Sequence, residues 1–174
     1  ALPESCQPSF YIEFVFEQNK SDVLVEEYIE GRELYVGMLG NERLTRLPVW
    51  ELNFGSMPDN QSTIATRKVK WDTKYRARYD ISSAPAEDLP PGVEAQLDRL
   101  SRRMFRALGL TGYARMDFRM RSDGTVFALE ANANPHLARD EDFARSAALA
   151  GRPYEHLLDS IVKLGHNYRS QWRV

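Results

Sequence analysis

The sequence predicts an α+β fold: a largely antiparallel sheet with helices packed against it. Three observations carry this. Short runs of strand-forming residues are separated by glycine-centred turns. One segment, Val93 to Leu108, repeats apolar residues at helical spacing. Two strand-like runs flank the dipeptide Asp123-Gly124, a preferred hairpin turn.

Taken in order, residues 1–22 contain two prolines and then the apolar run Phe10 to Phe16. Its period fits a buried strand or a helix, and we lean to helix. Val23 to Ile29 reads as a strand that Gly31 ends. Glu33 to Leu39 is a second strand, Gly40-Asn41 a turn, and Arg43 to Leu52 a third strand. Pro48 within that strand implies an edge or a bulge. Residues 53–66 are polar and short-sided, which suggests a surface loop, and Lys68 to Tyr79 shows no clean period. A second loop holds Pro85, Pro90, Pro91 and Gly92. Val93, Leu97, Leu100, Met104 and Leu108 then line one face of a helix that Gly109 closes. Tyr113 to Arg121 and Thr125 to Asn132 are the hairpin strands. Helices are expected from about Glu141 to Ala150 and from about Tyr154 to Asn167.

The 174 residues suffice for one domain with its own core. The charges nearly cancel, 23 Lys and Arg against 25 Asp and Glu, so charge alone does not carry the chain to nucleic acid or an anionic membrane. No apolar run approaches the ~18 residues of a membrane span, and no secretory pattern is present. A lone cysteine, Cys6, excludes an internal disulfide and fits a reducing, cytoplasmic setting. Arg99, Arg102, Arg103 and Arg106 form a stripe opposite the apolar helix face. Such stripes bind nucleic acid in some proteins, but with Asp98 beside them a solvated helix face is the simpler reading.

The hairpin carries the chemistry. With a two-residue loop at Asp123-Gly124, Ser122 faces Thr125, Asp117 faces Glu130 and Arg115 faces Asn132. Alternation puts these last four on one face. Met116, Phe118, Phe127, Leu129 and Ala131 then form a core face. Two directly opposed carboxylates repel. A hard divalent cation between them would accept their oxygens and the Asn132 amide, while Arg115 could hold a phosphate. The alternative is a solvated face on which Arg115 and Arg119 pair the acids. A three-residue loop would shift the register by one and separate Asp117 from Glu130.

Gly112-Tyr113-Ala114-Arg115-Met116-Asp117-Phe118, followed by Leu129-Glu130-Ala131-Asn132, resembles the metal-binding hairpin of ATP-grasp ligases, in the branch of D-alanine–D-alanine ligase. Val23 to Leu34 resembles the adenine-binding strand of that family and the turn after it. Leu108-Gly109 and Tyr154 to Leu158 fit as well, and the likeness spans about residues 12–165. The resemblance implies the second lobe of an ATP-grasp domain. It implies Glu26 as acceptor for the adenine amino group, the backbone of Glu27 and Ile29 on the adenine edge, and Glu33 on the ribose. Lys74 would be a phosphate-contacting lysine on a mobile loop, and Arg115 would face the transferred phosphoryl group. Asp117, Glu130 and Asn132 would bind two magnesium ions, manganese being an alternative.

Two departures shape the functional expectation. The family's earlier lobe brings a glycine-rich loop and further lysines. Here no glycine precedes Gly31, and Lys20 is the only lysine before Lys68. Residues 1–22 are therefore expected to be a remnant segment and 23–174 the second lobe, with the missing N-terminal part its partner. A homodimer is left open. In the family, a Pro-Gly and then a Ser-Leu pair receive the substrate after the hairpin. This chain reads Asn134-Pro135-His136-Leu137-Ala138-Arg139-Asp140-Glu141-Asp142. Asn134, His136 and Arg139 become substrate-side candidates, and the small-molecule carboxylate and amine substrates are unspecified. The resulting expectation is an ATP-dependent carboxylate–amine ligase, inactive as this piece alone. The rivals are a nucleotide- or partner-binding module that has lost ligation, and a nucleic-acid module using the arginine stripe.

Overall fold

A computed structural model of the chain describes residues 8–58 and 63–168. Its centre is a five-stranded, wholly antiparallel sheet in the order β3-β2-β1-β4-β5. The strands are β1 (Arg32–Leu39), β2 (Thr45–Asn53), β3 (Ser82–Pro85), β4 (Tyr113–Met120) and β5 (Val126–Asn132). The helices are α1 (Pro8–Asn19), α2 (Arg67–Trp71), α3 (Thr73–Tyr79), α4 (Val93–Ala107), α5 (Asp142–Leu149) and α6 (Tyr154–His166). No helix among the described residues is long and apolar enough to cross a membrane.

β1 lies at the centre, and from Glu33 onward every residue of it is buried. Period-2 alternation sends Leu34, Val36 and Met38 to one face, where they meet Met116, Phe118 and Met120 of β4 and Val93, Leu97 and Phe105 of α4. The opposite face is covered only in part. At one end, Tyr35, Trp50 and Leu52 pack with Val69 and Ile81 near α2 and α3. At the other, Leu39 and Leu47 pack with Phe143, Ala144, Ala147 and Leu157 of α5 and α6. Between these two clusters the face carries polar side chains.

Several expectations are met. The Phe10 to Phe16 run lies in a helix, α1. The β1–β2 register slips between Val36 and Met38, so Pro48 sits in a bulge, where its missing N–H breaks no ladder bond. The helices at the C-terminal end match α5 and α6 to within a residue. Others are corrected. Val23 to Ile29 is not a strand, since no strand among the described residues lies beside it, and Leu24 is 80% exposed. Leu108 is 59% exposed because α4 ends at Ala107, and its buried stripe runs Val93, Leu97, Ser101, Phe105. The aperiodic Lys68 to Tyr79 segment forms two short helices. The capping acceptors Thr66 Oγ1 and Asp72 Oδ1 start them by taking the N–H groups of Val69 and Tyr75. The strand β3 falls where a loop was expected. Cys6 lies outside the described residues.

Gly31 fixes how the chain enters β1. Its φ is +141°, and a Cβ there would stand 2.1 Å from the carbonyl oxygen of Met120. Only glycine lets the segment before β1 pass this close to β4.

Candidate active site

The predicted pairs form: Asp117 opposes Glu130, Met116 opposes Ala131 and Arg115 opposes Asn132. They form by a different route from the one expected. The loop has three residues, Ser122-Asp123-Gly124, with the Arg121 N–H bonded to the Thr125 carbonyl at 2.9 Å and Gly124 at φ +83°. Alone, that loop would separate the two acids. The register then slips between Asp117 and Phe118, which leaves Leu129 as an unpaired bulge residue and restores the predicted pairing. Phe127, now opposite Arg119, and Leu129, 46% exposed, do not join the core face. Both line a cleft on the polar side of the sheet.

That cleft has a volume of about 780 Å³, in the range of small-molecule sites. Glu26, Glu27, Tyr28 and Ile29 form one wall, Ile64, Ala65 and Lys70 another. Its polar base is Glu33, Asp117, Arg119 and Glu130, and Phe127 and Leu129 add apolar surface. The cleft thus combines apolar lining with carboxylates.

Arg115 grips Asp117 with both Nε and Nη2 at 2.7 Å. Its guanidinium stacks 4.3 Å from the centre of the Tyr35 ring. Burial pushes the Asp117 carboxyl up, Arg115 pulls it down, and the neighbouring Glu130 raises it again, leaving it at about 6. Burial would lower the Arg115 pKa, but Asp117 outweighs it, with Tyr35 and Asp142 adding to the net rise. Tyr35 is driven upward by burial and by Glu33, to which its hydroxyl donates at 2.8 Å. Asn132 Oδ1 accepts the Asn134 N–H at 2.9 Å.

The donor set suits a hard divalent cation. Two opposed carboxylates, one of them raised first by burial and then by its neighbour's charge, gain from a cation between them, and the Asn132 amide lies two residues along β5. No group of three His, Cys, Asp or Glu side chains placed to hold a metal ion exists among the described residues.

Other predicted residues are placed as follows. Glu26, Glu27, Ile29 and Glu33 reach the cleft, though Glu27 also pairs with Arg121 at 2.9 Å. Lys74 is exposed on α3 and does not line the cleft; Lys70 of α2 does. Arg139 pairs with Glu155 at 2.6 Å and covers the Tyr154 ring, and the His136 ring approaches Glu141 at 3.2 Å. Asn134 accepts the Tyr113 hydroxyl at 2.6 Å. None of these three lines the cleft. Asp142 instead borders a small cavity with Arg115, Tyr35 and Trp50. The sequence reading missed Arg119 as a site residue. Its alternation with Asp117 was a usable signal, but its neighbour across the other ladder, Glu33 on β1, was not visible.

The comparisons agree with this geometry. The uncharacterised protein y4sG of Sinorhizobium fredii is 32% identical over 167 residues, 94% of this chain and 46% of that protein. D-alanine–D-alanine ligase of Desulfotalea psychrophila is 31% identical over 143 residues, 82% of this chain and 42% of that protein. The crystal structure of D-alanine–D-alanine ligase from Bacillus anthracis complexed with ATP superposes with a TM-score of 0.69 at 20% identity, over 92% of this chain and 47% of that one. The Coxiella burnetii D-alanine–D-alanine ligase gives 0.71 at 21%, over 94% and 40%. This chain thus spans less than half the length of each of these relatives. The family described as D-ala D-ala ligase C-terminus matches residues 9–163, and with its sheet and opposed carboxylates in place the chain belongs to that family, the second lobe of an ATP-grasp fold.

Proposed function

We propose that the chain is the nucleotide- and metal-holding lobe of an ATP-dependent ligase that joins a carboxylate to an amine. The observation that carries this is the Asp117–Glu130 pair lining the same cleft as Glu26 to Ile29. The substrate carboxylate oxygen attacks the γ-phosphorus of ATP and ADP leaves. The amine nitrogen then attacks the acyl phosphate carbonyl, and inorganic phosphate leaves as the nitrogen loses a proton. Phosphoryl transfer is mostly positioning and charge neutralisation. Glu26 and the Glu27–Ile29 backbone hold the adenine, and Glu33 holds the ribose. Arg115, fixed by Asp117 and Tyr35, presents positive charge to the transferred group. Asp117, Glu130 and Asn132 would hold one or two divalent cations, which neutralise phosphate charge. Lys70 is better placed than Lys74 to approach the phosphates.

The substrate end supports an acceptor other than D-alanine. Arg139 and His136 are engaged with Glu155 and Glu141, while Asp142 borders the same small cavity as Arg115. A free substrate carboxylate would meet repulsion there, and an amine would meet attraction. The same engaged loop is what a nucleotide-binding module without ligation would show. Phosphate release by the intact protein, screened over amino acids and amines with magnesium-ATP, separates the readings. Turnover that Asp117→Ala abolishes supports the ligase. D-alanine as best substrate on both sides would refute the altered specificity, and no turnover with any pair would favour the binding module.

A further inference from the structure

Arg119 is 3% exposed, and nothing in the proposed chemistry calls for a buried guanidinium at that point. Its Nη1 donates to the Gly31 carbonyl at 2.6 Å, and its Nη2 donates to the Thr63 carbonyl. Nη2 also faces Glu33 Oε2 at 3.7 Å. The group lies beside two rings, 5.6 Å from the centre of Tyr28 and 5.8 Å from that of Phe54. Arg119 therefore ties three separate pieces of the cleft to β4: the irregular segment before β1, the loop at Thr63, and the Glu33 carboxylate. Tyr28 adds a second tie, its hydroxyl 3.0 Å from Thr63 Oγ1.

The arrangement at Glu33 has a direction. Oε1 accepts from the Tyr35 hydroxyl at 2.8 Å. Oε2 has the guanidinium at 3.7 Å, a charge contact beyond hydrogen-bond length. The carboxylate is thus pinned on one oxygen and charge-balanced on the other. Oε2 keeps acceptor capacity for a hydroxyl entering the cleft. A flexible ammonium could not bridge two carbonyls and face a carboxylate together; the planar guanidinium does so with two of its nitrogens.

We propose that Arg119 is a positioning residue for ribose recognition: it presents Glu33 to the sugar hydroxyls while holding the two walls of the cleft together. This rests on the nucleotide reading of the cleft, so the test is built to separate the two. The intact protein, its Arg119→Met variant and its Arg119→Lys variant are titrated calorimetrically with magnesium-ATP and magnesium-2′-deoxy-ATP. The wild type should prefer ATP by about tenfold or more, as for a hydrogen bond to a charged acceptor. Arg119→Met should weaken ATP by at least about tenfold and bring the ATP to deoxy-ATP ratio to within about threefold of one. A merely structural role would weaken both nucleotides equally and leave the ratio unchanged. Should Arg119→Met fail to fold, as judged by melting, Arg119→Lys carries the test, and it too should lose the discrimination. Wild-type discrimination retained in the folded variants overturns the proposal. Equal binding of both nucleotides by the wild type overturns it while leaving the nucleotide reading intact. Wild type that binds neither nucleotide removes the nucleotide reading itself.

Discussion

Asp117 should make the metal-free protein more stable as the solution is acidified. Its folded pKa, about 6, lies above the ordinary value of 3.8. Above about pH 6 both the folded and unfolded chains carry the ionised carboxylate, and the fold bears the cost of burying it beside Glu130. As pH falls through the folded value the native state takes up the proton first, so this group adds stability until the unfolded chain is protonated as well. The full difference corresponds to about 3 kcal/mol, and roughly 1 kcal/mol of it develops between about pH 7 and pH 5. Other carboxylates also titrate in this range, so the measurement is a difference. Urea unfolding of the wild type and of Asp117→Asn is followed at both pH values with a chelator present. The amide keeps the shape but cannot titrate. Its loss of the Arg115 pair is common to both conditions and cancels. Wild type should gain about 1 kcal/mol relative to the variant on acidification. A gap that stays constant, or moves the other way, would refute the electrostatic description of the site. Excess magnesium should reverse the slope, because the cation needs the ionised form.

Three further outcomes are expected. Glu130→Gln should stabilise the chelated protein by a few tenths of a kcal/mol, since opposed carboxylates repel, yet abolish magnesium-dependent turnover; a destabilised variant in thermal melts argues against the repulsion. The 174-residue chain should bind magnesium-ATP no better than about millimolar, near −4 kcal/mol, because one lobe grips one side of the nucleotide; micromolar affinity by calorimetry contradicts this. Gly31→Ala should cost at least about 2 kcal/mol in denaturant unfolding, because its Cβ meets the Met120 carbonyl at a positive φ; a change under about 0.5 kcal/mol would show that the chain entry to β1 is pliable.

The sheet was legible because its strands alternate and its turns are marked by glycine. The carboxylate pair was legible too, although two departures from the simple hairpin had to cancel. A three-residue loop and a bulge at Leu129 each move the register by one, and sequence spacing reports only their sum. What spacing could not reveal was the side of the sheet on which Phe127 and Leu129 stand, since that depends on where between the loop and Glu130 the extra residue is absorbed. Short elements were illegible for a different reason. β3 has 4 residues and α2 has 5, too few to display a period. Val23 to Ile29 has strand composition, but composition cannot supply a neighbour to pair with. Arg119 needed knowledge that β1 lies against β4, a contact between residues far apart in the chain.

The bulge has a consequence for solubility. β5 is one of the two outer strands of the sheet among the described residues, and its outer edge carries backbone groups that another chain could pair with. Outer strands of this kind invite strand addition and aggregation. A regular edge carrying Phe127, Leu129 and Ala131 would be a flat apolar template. The extra residue twists the edge and breaks the spacing of its backbone donors, and Glu130 places a charge beside the break. The kink that brings Glu130 opposite Asp117 is thus the same kink that makes the strand a poor partner for a second molecule. Deleting Leu129 would keep the pairing on both sides of the bulge yet straighten the edge. Such a variant should precipitate at concentrations the wild type tolerates, and light scattering would show the loss before any loss of secondary structure.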